Sequence, residues 1–129
     1  MWKEKAVEML RKKGYKMTPP QRLKLIEVLN EIGSEHPSLN TLLERIREDF
    51  PTVSFSTLYS NILTLKELGL VELFSVGGET RVEINTEPPH INIIEDERVI
   101  DVNDPPEIIE ALKRKLGKEV KLVNVLVER

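Results

Sequence analysis

The chain has 129 residues, 40% of them apolar and 32% charged, which suits one medium domain or two small ones with enough apolar mass for a packed core. It contains no cysteine, so disulfides, thiolate catalysis and thiolate-bound zinc are all excluded. No apolar run approaches the roughly 18 residues a membrane span needs, and the start Met1-Trp2-Lys3-Glu4-Lys5 lacks the apolar core of a secretory signal; a cytoplasmic protein with no membrane partner is expected.

Residues 2–13 read as a helix, with Trp2, Ala6, Met9 and Leu10 on one face and Gly14 as its stop. A connection through Tyr15 to Pro19 follows. Pro20 forces Pro19 into extended backbone, so Pro20 itself is predicted as the first residue of a second helix. That helix carries Leu25, Ile26, Leu29 and Ile32 as its stripe and ends at Gly33. Ser38 is placed to cap a third helix, whose buried face is Leu39, Leu42, Leu43 and Ile46 and which Phe50-Pro51 closes. Ser54 or Ser56 caps a fourth, with Leu58, Ile62, Leu65 and Leu68 inward and Gly69 as its stop. Residues 70–76 and 80–85 then flank Gly77-Gly78, which predicts a hairpin.

Three helices followed by a two-stranded wing describe a winged helix-turn-helix, in which the helix before the wing reads the major groove. Thr86-Glu87-Pro88-Pro89 breaks the pattern. Beyond it lie strands over 90–94 and 99–102, a helix over 106–116 with Ile108, Ile109, Leu112 and Leu116 inward, and a strand over 120–127 that is apolar on both faces. Such a strand needs cover on both sides. A segment this short cannot easily supply it, so a homodimer is expected. The fold expectation is therefore α+β: a winged helix-turn-helix over 1–85, a hinge over 86–89, and an α/β dimerisation domain over 90–129.

The net charge of −3 does not point to nucleic acid, but its distribution is uneven. Residues 1–24 hold Lys3, Lys5, Arg11, Lys12, Lys13, Lys16, Arg22 and Lys24 against only Glu4 and Glu8. That suits either one face on a phosphate backbone or a lysine-rich solvated helix.

The string Gly14-Tyr15-Lys16-Met17-Thr18-Pro19-Pro20-Gln21-Arg22 resembles the entry motif of the ferric uptake regulator (Fur) family. Ser54-Phe55-Ser56-Thr57-Leu58-Tyr59 is similar to the start of that family's recognition helix, Leu65 to Val71 to its helix-to-wing junction, and Val99-Ile100-Asp101 to a strand of its dimerisation domain. The resemblance covers nearly the whole chain. It implies a homodimeric, metal-responsive transcription regulator acting on double-stranded DNA, with repression as its mode, and not an enzyme.

Carried over by position, the resemblance assigns Ser56, Thr57, Tyr59, Ser60 and Asn61 to DNA contact, and Lys13, Tyr15, Lys16 and Arg22 to phosphates. Ser60 stands where the family has an arginine, and Pro19-Pro20 holds one proline more than its motif. The resemblance also implies one divalent ion per subunit (Zn, Fe or Mn) at the hinge, on His36, Glu83, His90 and Asp101, with Asn92 as a further candidate in place of a second family histidine. Both histidines of the chain fall in that set. Two imidazoles and two carboxylates are competent donors for such ions. A structural cysteine-bound zinc is not expected. Pro89, Ile91 and Val123 occupy the positions of further sensory ligands, so no second site is expected there. The alternative reading, motivated by Ser60 and the acidic remainder, is a metal-independent protein-interaction module with weak or no DNA binding. A metallohydrolase built on the same ligands is disfavoured by the lack of a nucleophile motif or phosphate-binding glycine loop.

Overall fold

A computed structural model describes residues 1–15, 19–85, 91–102 and 106–127. The fold mixes helices and sheets, and the chain divides into two compact units. One comprises Met1–Ser75 with Glu79–Ile84; the other comprises Val76–Gly78 with Asn85–Arg129. The expected hinge at 86–89, and His90 beside it, lie outside the described residues.

The first unit is built from α1 (Trp2–Lys12), α2 (Pro20–Ile32), α3 (Leu39–Arg47), α4 (Phe55–Glu67) and a hairpin of β1 (Val71–Val76) and β2 (Glu79–Ile84). Pro19 is extended at φ −55°, ψ 143° and Pro20 opens α2, as the paired prolines require. Ser38 and Ser54 cap α3 and α4: their hydroxyls accept from the backbone N–H of Thr41 and Thr57, each at 3.1 Å. Of the two serines expected as caps of α4, Ser54 takes the role. The α3 helix ends at Arg47, before Phe50, and a turn completes the segment.

The core is where the helical periodicities converge. Leu25, Ile26 and Leu29 of α2 meet Leu42 and Ile46 of α3 and Leu58, Ile62 and Leu65 of α4, all buried. Trp2, Ala6 and Leu10 of α1 close this core. The indole Nε1 of Trp2 donates to the carbonyl of Leu70 at 3.1 Å, so α1 is tied to the junction between α4 and β1. A buried indole needs such a partner. On the surface, the basic N-terminal region spends part of its charge internally: Lys3 pairs with Glu27, Arg11 with Glu8 and Lys24 with Asp49. The hydrogen bond to Asp49 raises the pKa of Lys24 above its ordinary value.

The second unit holds β3 (Ile91–Glu95), β4 (Arg98–Val102), α5 (Pro106–Leu116) and β5 (Val123–Leu126) in a three-stranded sheet of order β4-β3-β5. β3 and β4 form an antiparallel hairpin, and β3 pairs parallel with β5 after α5 has crossed over. Asp96 makes the hairpin turn at φ 55°, a conformation Asp tolerates better than most residues. The last strand is shorter than the 120–127 expected. α5 also departs from its expected face: Ile109 is buried, but Ile108 is 47% and Leu116 62% exposed. The apolar pattern marks surface that one copy of the chain leaves uncovered.

Gly33 follows α2 with ordinary helical angles, so it is not needed for φ. It is needed for space: a Cβ there would lie 2.9 Å from Cγ2 and 3.2 Å from Cδ1 of Ile84. Isoleucine is stiff at χ1 and cannot easily swing away. Gly33→Ala is expected to destabilise the first unit by about 1–3 kcal/mol in denaturant titration. In an Ile84→Ala background the same substitution should cost little. An equal cost in both backgrounds would show that the close approach is not its source.

Candidate functional site

Two groups of polar and aromatic side chains stand out in the first unit, and one in the second. The first is a buried acid–imidazole pair. Glu83 lies on β2 and is 2% exposed; His36 lies in the turn Gly33–Glu35 leaves before α3 and is 4% exposed. His36 Nε2 and Glu83 Oε2 are 2.9 Å apart. A carboxylate removed from water this completely is retained only if it is paired or coordinated.

The backbone around His36 is built for this placement. His36 is left-handed at φ 54°, ψ 60°, an uncommon conformation for a non-glycine residue. The segment that follows pairs with β2 like a short extra strand. Val82 N–H donates to the Pro37 carbonyl at 2.9 Å, and Ser38 forms a bridge opposite Arg81. Arg81 Nη1 donates to the His36 carbonyl at 3.4 Å, and Phe74 of β1 meets the imidazole edge-on with ring centroids 5.9 Å apart. The imidazole is therefore held between an aromatic ring and a carboxylate. One nitrogen and one carboxylate oxygen, both dry and adjacent, form half of a donor set that suits a divalent transition metal. Among the described residues no group of three such donors comes together. His90 is outside them.

The second group is the outer surface of α4 and the segment leading into α2. Ser56, Thr57, Tyr59 and Ser60 are exposed. Thr57 Oγ1 also accepts from the Ser54 hydroxyl at 3.1 Å, and the Ser60 carbonyl accepts from Thr64 Oγ1 at 3.1 Å. Phe55, which sequence reasoning overlooked, is 45% exposed and stacks nearly parallel on Tyr59, with ring centroids 6.1 Å apart. Its signal was available: Phe55, Tyr59 and Leu63 recur every fourth residue, off the buried stripe of Leu58, Ile62 and Leu65.

Asn61 differs from its neighbours. It is 8% exposed, and its Oδ1 accepts from Arg22 Nε at 3.2 Å. Arg22 in turn places its guanidinium 4.9 Å from the centre of the Tyr15 ring. Lys13 is exposed, and Lys16 lies outside the described residues.

In the second unit, Asn92 of β3 is fully buried and stands opposite Asp101 of β4 on one side and Asn124 of β5 on the other. Register partners share a face, so the three form a polar row across the sheet. Asn92 Nδ2 donates to Asn124 Oδ1 at 3.1 Å. Asp101 is exposed. Among the described residues, no helix is long and apolar enough to cross a membrane.

The model of the ferric uptake regulator family matches residues 12–128. A ferric uptake regulation protein homologue of Archaeoglobus fulgidus is 52% identical over 128 residues, covering 99% of this chain and 98% of that protein. Among solved structures, the Campylobacter jejuni peroxide stress regulator is 31% identical with a TM-score of 0.71, covering 95% of each chain. The Helicobacter pylori ferric uptake regulator, described as having three functional metal-binding sites, shares the fold at a TM-score of 0.73 and 24% identity over 97% of this chain and 91% of its own. This is a family of transcription regulators rather than enzymes, and the chain belongs to it: the ferric uptake regulator family.

Proposed function

We propose that the protein is a cytoplasmic, homodimeric repressor that binds operator DNA through a winged helix-turn-helix and responds to a divalent metal. In this reading α2, α3, α4 and the β1–β2 hairpin form the DNA-binding domain, and the unit holding β3 to β5 forms the dimerisation domain. The observation that carries it is the outer face of α4. There Ser56, Thr57, Tyr59 and Ser60 are exposed beside Phe55, which stacks on Tyr59. Serine and threonine hydroxyls suit phosphates or base edges, and an aromatic face suits thymine methyl groups. Lys13, Tyr15 and Lys16 supply phosphate contacts.

The metal reading is supported by the His36–Glu83 pair and by family membership. His36 and Glu83 supply two ligands; His90 and Asp101 are proposed as the others, with Asn92 as a further candidate. When bound, the ion would neutralise the buried carboxylate and hold the His36 loop against β2. The chain's own contribution is Phe74, which meets the imidazole edge-on, and Arg81, which donates to the His36 carbonyl. Zn, Fe(II) and Mn(II) all fit these donors.

The dimer is supported by the surface of the second unit. β5 is an edge strand, Leu126 is 79% exposed, and Val125, Val127 and Ile100 are also exposed. An uncovered apolar edge of this kind is a pairing surface.

Three measurements test the proposal. A gel shift on DNA upstream of the protein's own gene should show binding that weakens steeply with salt, and Tyr59→Ala should cost about 1–3 kcal/mol of affinity for a matched operator. No shift at low salt, with or without divalent metal, would favour the protein-interaction reading that Ser60 motivates. Elemental analysis after incubation with Zn, Fe(II) or Mn(II) should find about one ion per subunit, lost in His36→Ala and in His90→Ala. Unchanged stoichiometry in those variants would refute the ligand assignment. In sedimentation, Leu126→Asp should convert a dimer to a monomer; a wild-type monomer would remove the dimer from the proposal.

A further inference from the structure

We infer that Arg22 is a positioning residue: it clamps α4 to the segment that follows α1, and does not serve as a phosphate ligand. The inference rests on the DNA-binding reading and sharpens it. Arg22 sits in the first turn of α2, where its backbone N–H donates to the Pro19 carbonyl at 2.9 Å. From there its side chain reaches two other segments, one of them 39 residues away. Nε donates to Asn61 Oδ1 of α4 at 3.2 Å, and the guanidinium lies 4.9 Å from the centre of the Tyr15 ring. Its Nε is thus bonded to α4 while its guanidinium carbon lies over the Tyr15 ring. Arginine can do both at once because its group is planar and presents donors in a fixed fork.

The consequence falls on the residues beside Asn61. Successive helical residues are rotated by about 100°, so fixing Asn61 inward fixes the direction of Ser60 and Tyr59. Asn61 is 8% exposed while Tyr59 is 38% exposed, as this rotation requires. Tyr15 is held by the same side chain, so the entry segment and α4 are presented to DNA in one fixed relation. Asn61, a base-reading candidate by its type, is turned to this internal use.

A phosphate ligand and a clamp respond differently to substitution. Loss of a phosphate contact lowers the slope of log affinity against log salt by about 0.9. Loss of a clamp lowers affinity without changing that slope. The experiment measures binding of Arg22→Gln, Arg22→Lys, Asn61→Ala and the Arg22→Gln/Asn61→Ala double variant to the DNA that wild-type protein shifts, over about 50 to 200 mM salt, roughly 0.6 of a decade. Melting curves confirm that each variant is folded.

The expected result is about tenfold weaker binding for each single variant, with the double variant no weaker than the worse single one. The salt slope should stay at its wild-type value, and Arg22→Lys should bind as weakly as Arg22→Gln, because lysine keeps the charge but not the fork. A slope reduced by about 0.9 in Arg22→Gln and restored in Arg22→Lys, with additive losses, would overturn the clamp. An independent readout needs no DNA: the Nε–H resonance of Arg22 should be protected from exchange in wild type and exposed in Asn61→Ala. An unprotected wild-type resonance would overturn the clamp whatever the binding data show. Absence of any wild-type shift would overturn the DNA reading and the positioning role with it, while the resonance would still report on the clamp itself.

Discussion

A carboxylate taken out of water costs several kcal/mol unless something compensates it. Glu83 is nearly inaccessible, and His36 Nε2 lies 2.9 Å from its carboxylate. Much of the first unit's local geometry follows from satisfying that demand. His36 must leave the helical path after Ile32, which it does through a short turn and a left-handed backbone. The chain then runs beside β2 for long enough to form a bridge before Ser38 caps α3. Gly33 is required because the turn passes against Ile84, the residue after Glu83. The pair therefore connects the end of α2, the start of α3 and both strands of the hairpin.

The same pair makes the metal proposal more than a positional transfer. Strained backbone of this kind persists only where the surroundings over-determine it, and it concentrates at functional sites. A histidine on an exposed loop would carry no such implication. Here the backbone conformation, the aromatic contact and the acid partner all act on one imidazole. Metal-binding imidazoles commonly rely on such neighbours to fix the ring.

Much of the architecture was legible in the sequence because it depends on local rules. Two prolines fixed the start of α2, two serines capped α3 and α4, and apolar spacing predicted which faces meet in the core. What was not legible depends on contacts between distant segments. Asn61 has the chemistry of a base reader, and only the approach of Arg22 from α2 shows it turned inward. Phe55 fell between the capping serines and was passed over, although its spacing to Tyr59 and Leu63 set it on the outer face. Ile108 and Leu116 were assigned to a core by pattern alone, but an apolar stripe cannot distinguish burial within a subunit from burial against another. His36 and Glu83 were paired only through the family resemblance; their 2.9 Å separation comes from the extra pairing of residues 36–38 with β2.

Trp2 is the only tryptophan of the chain, and its indole is buried and hydrogen-bonded to Leu70 between α4 and β1. Its fluorescence consequently reports on one unit alone. Emission would follow the loosening of α1 from the α4–β1 junction and pass over events confined to the three-stranded sheet. Circular dichroism sees the helices and strands of both units together. Where the two signals part company during unfolding, the units are melting separately, and a stability read from tryptophan emission belongs to the first unit only.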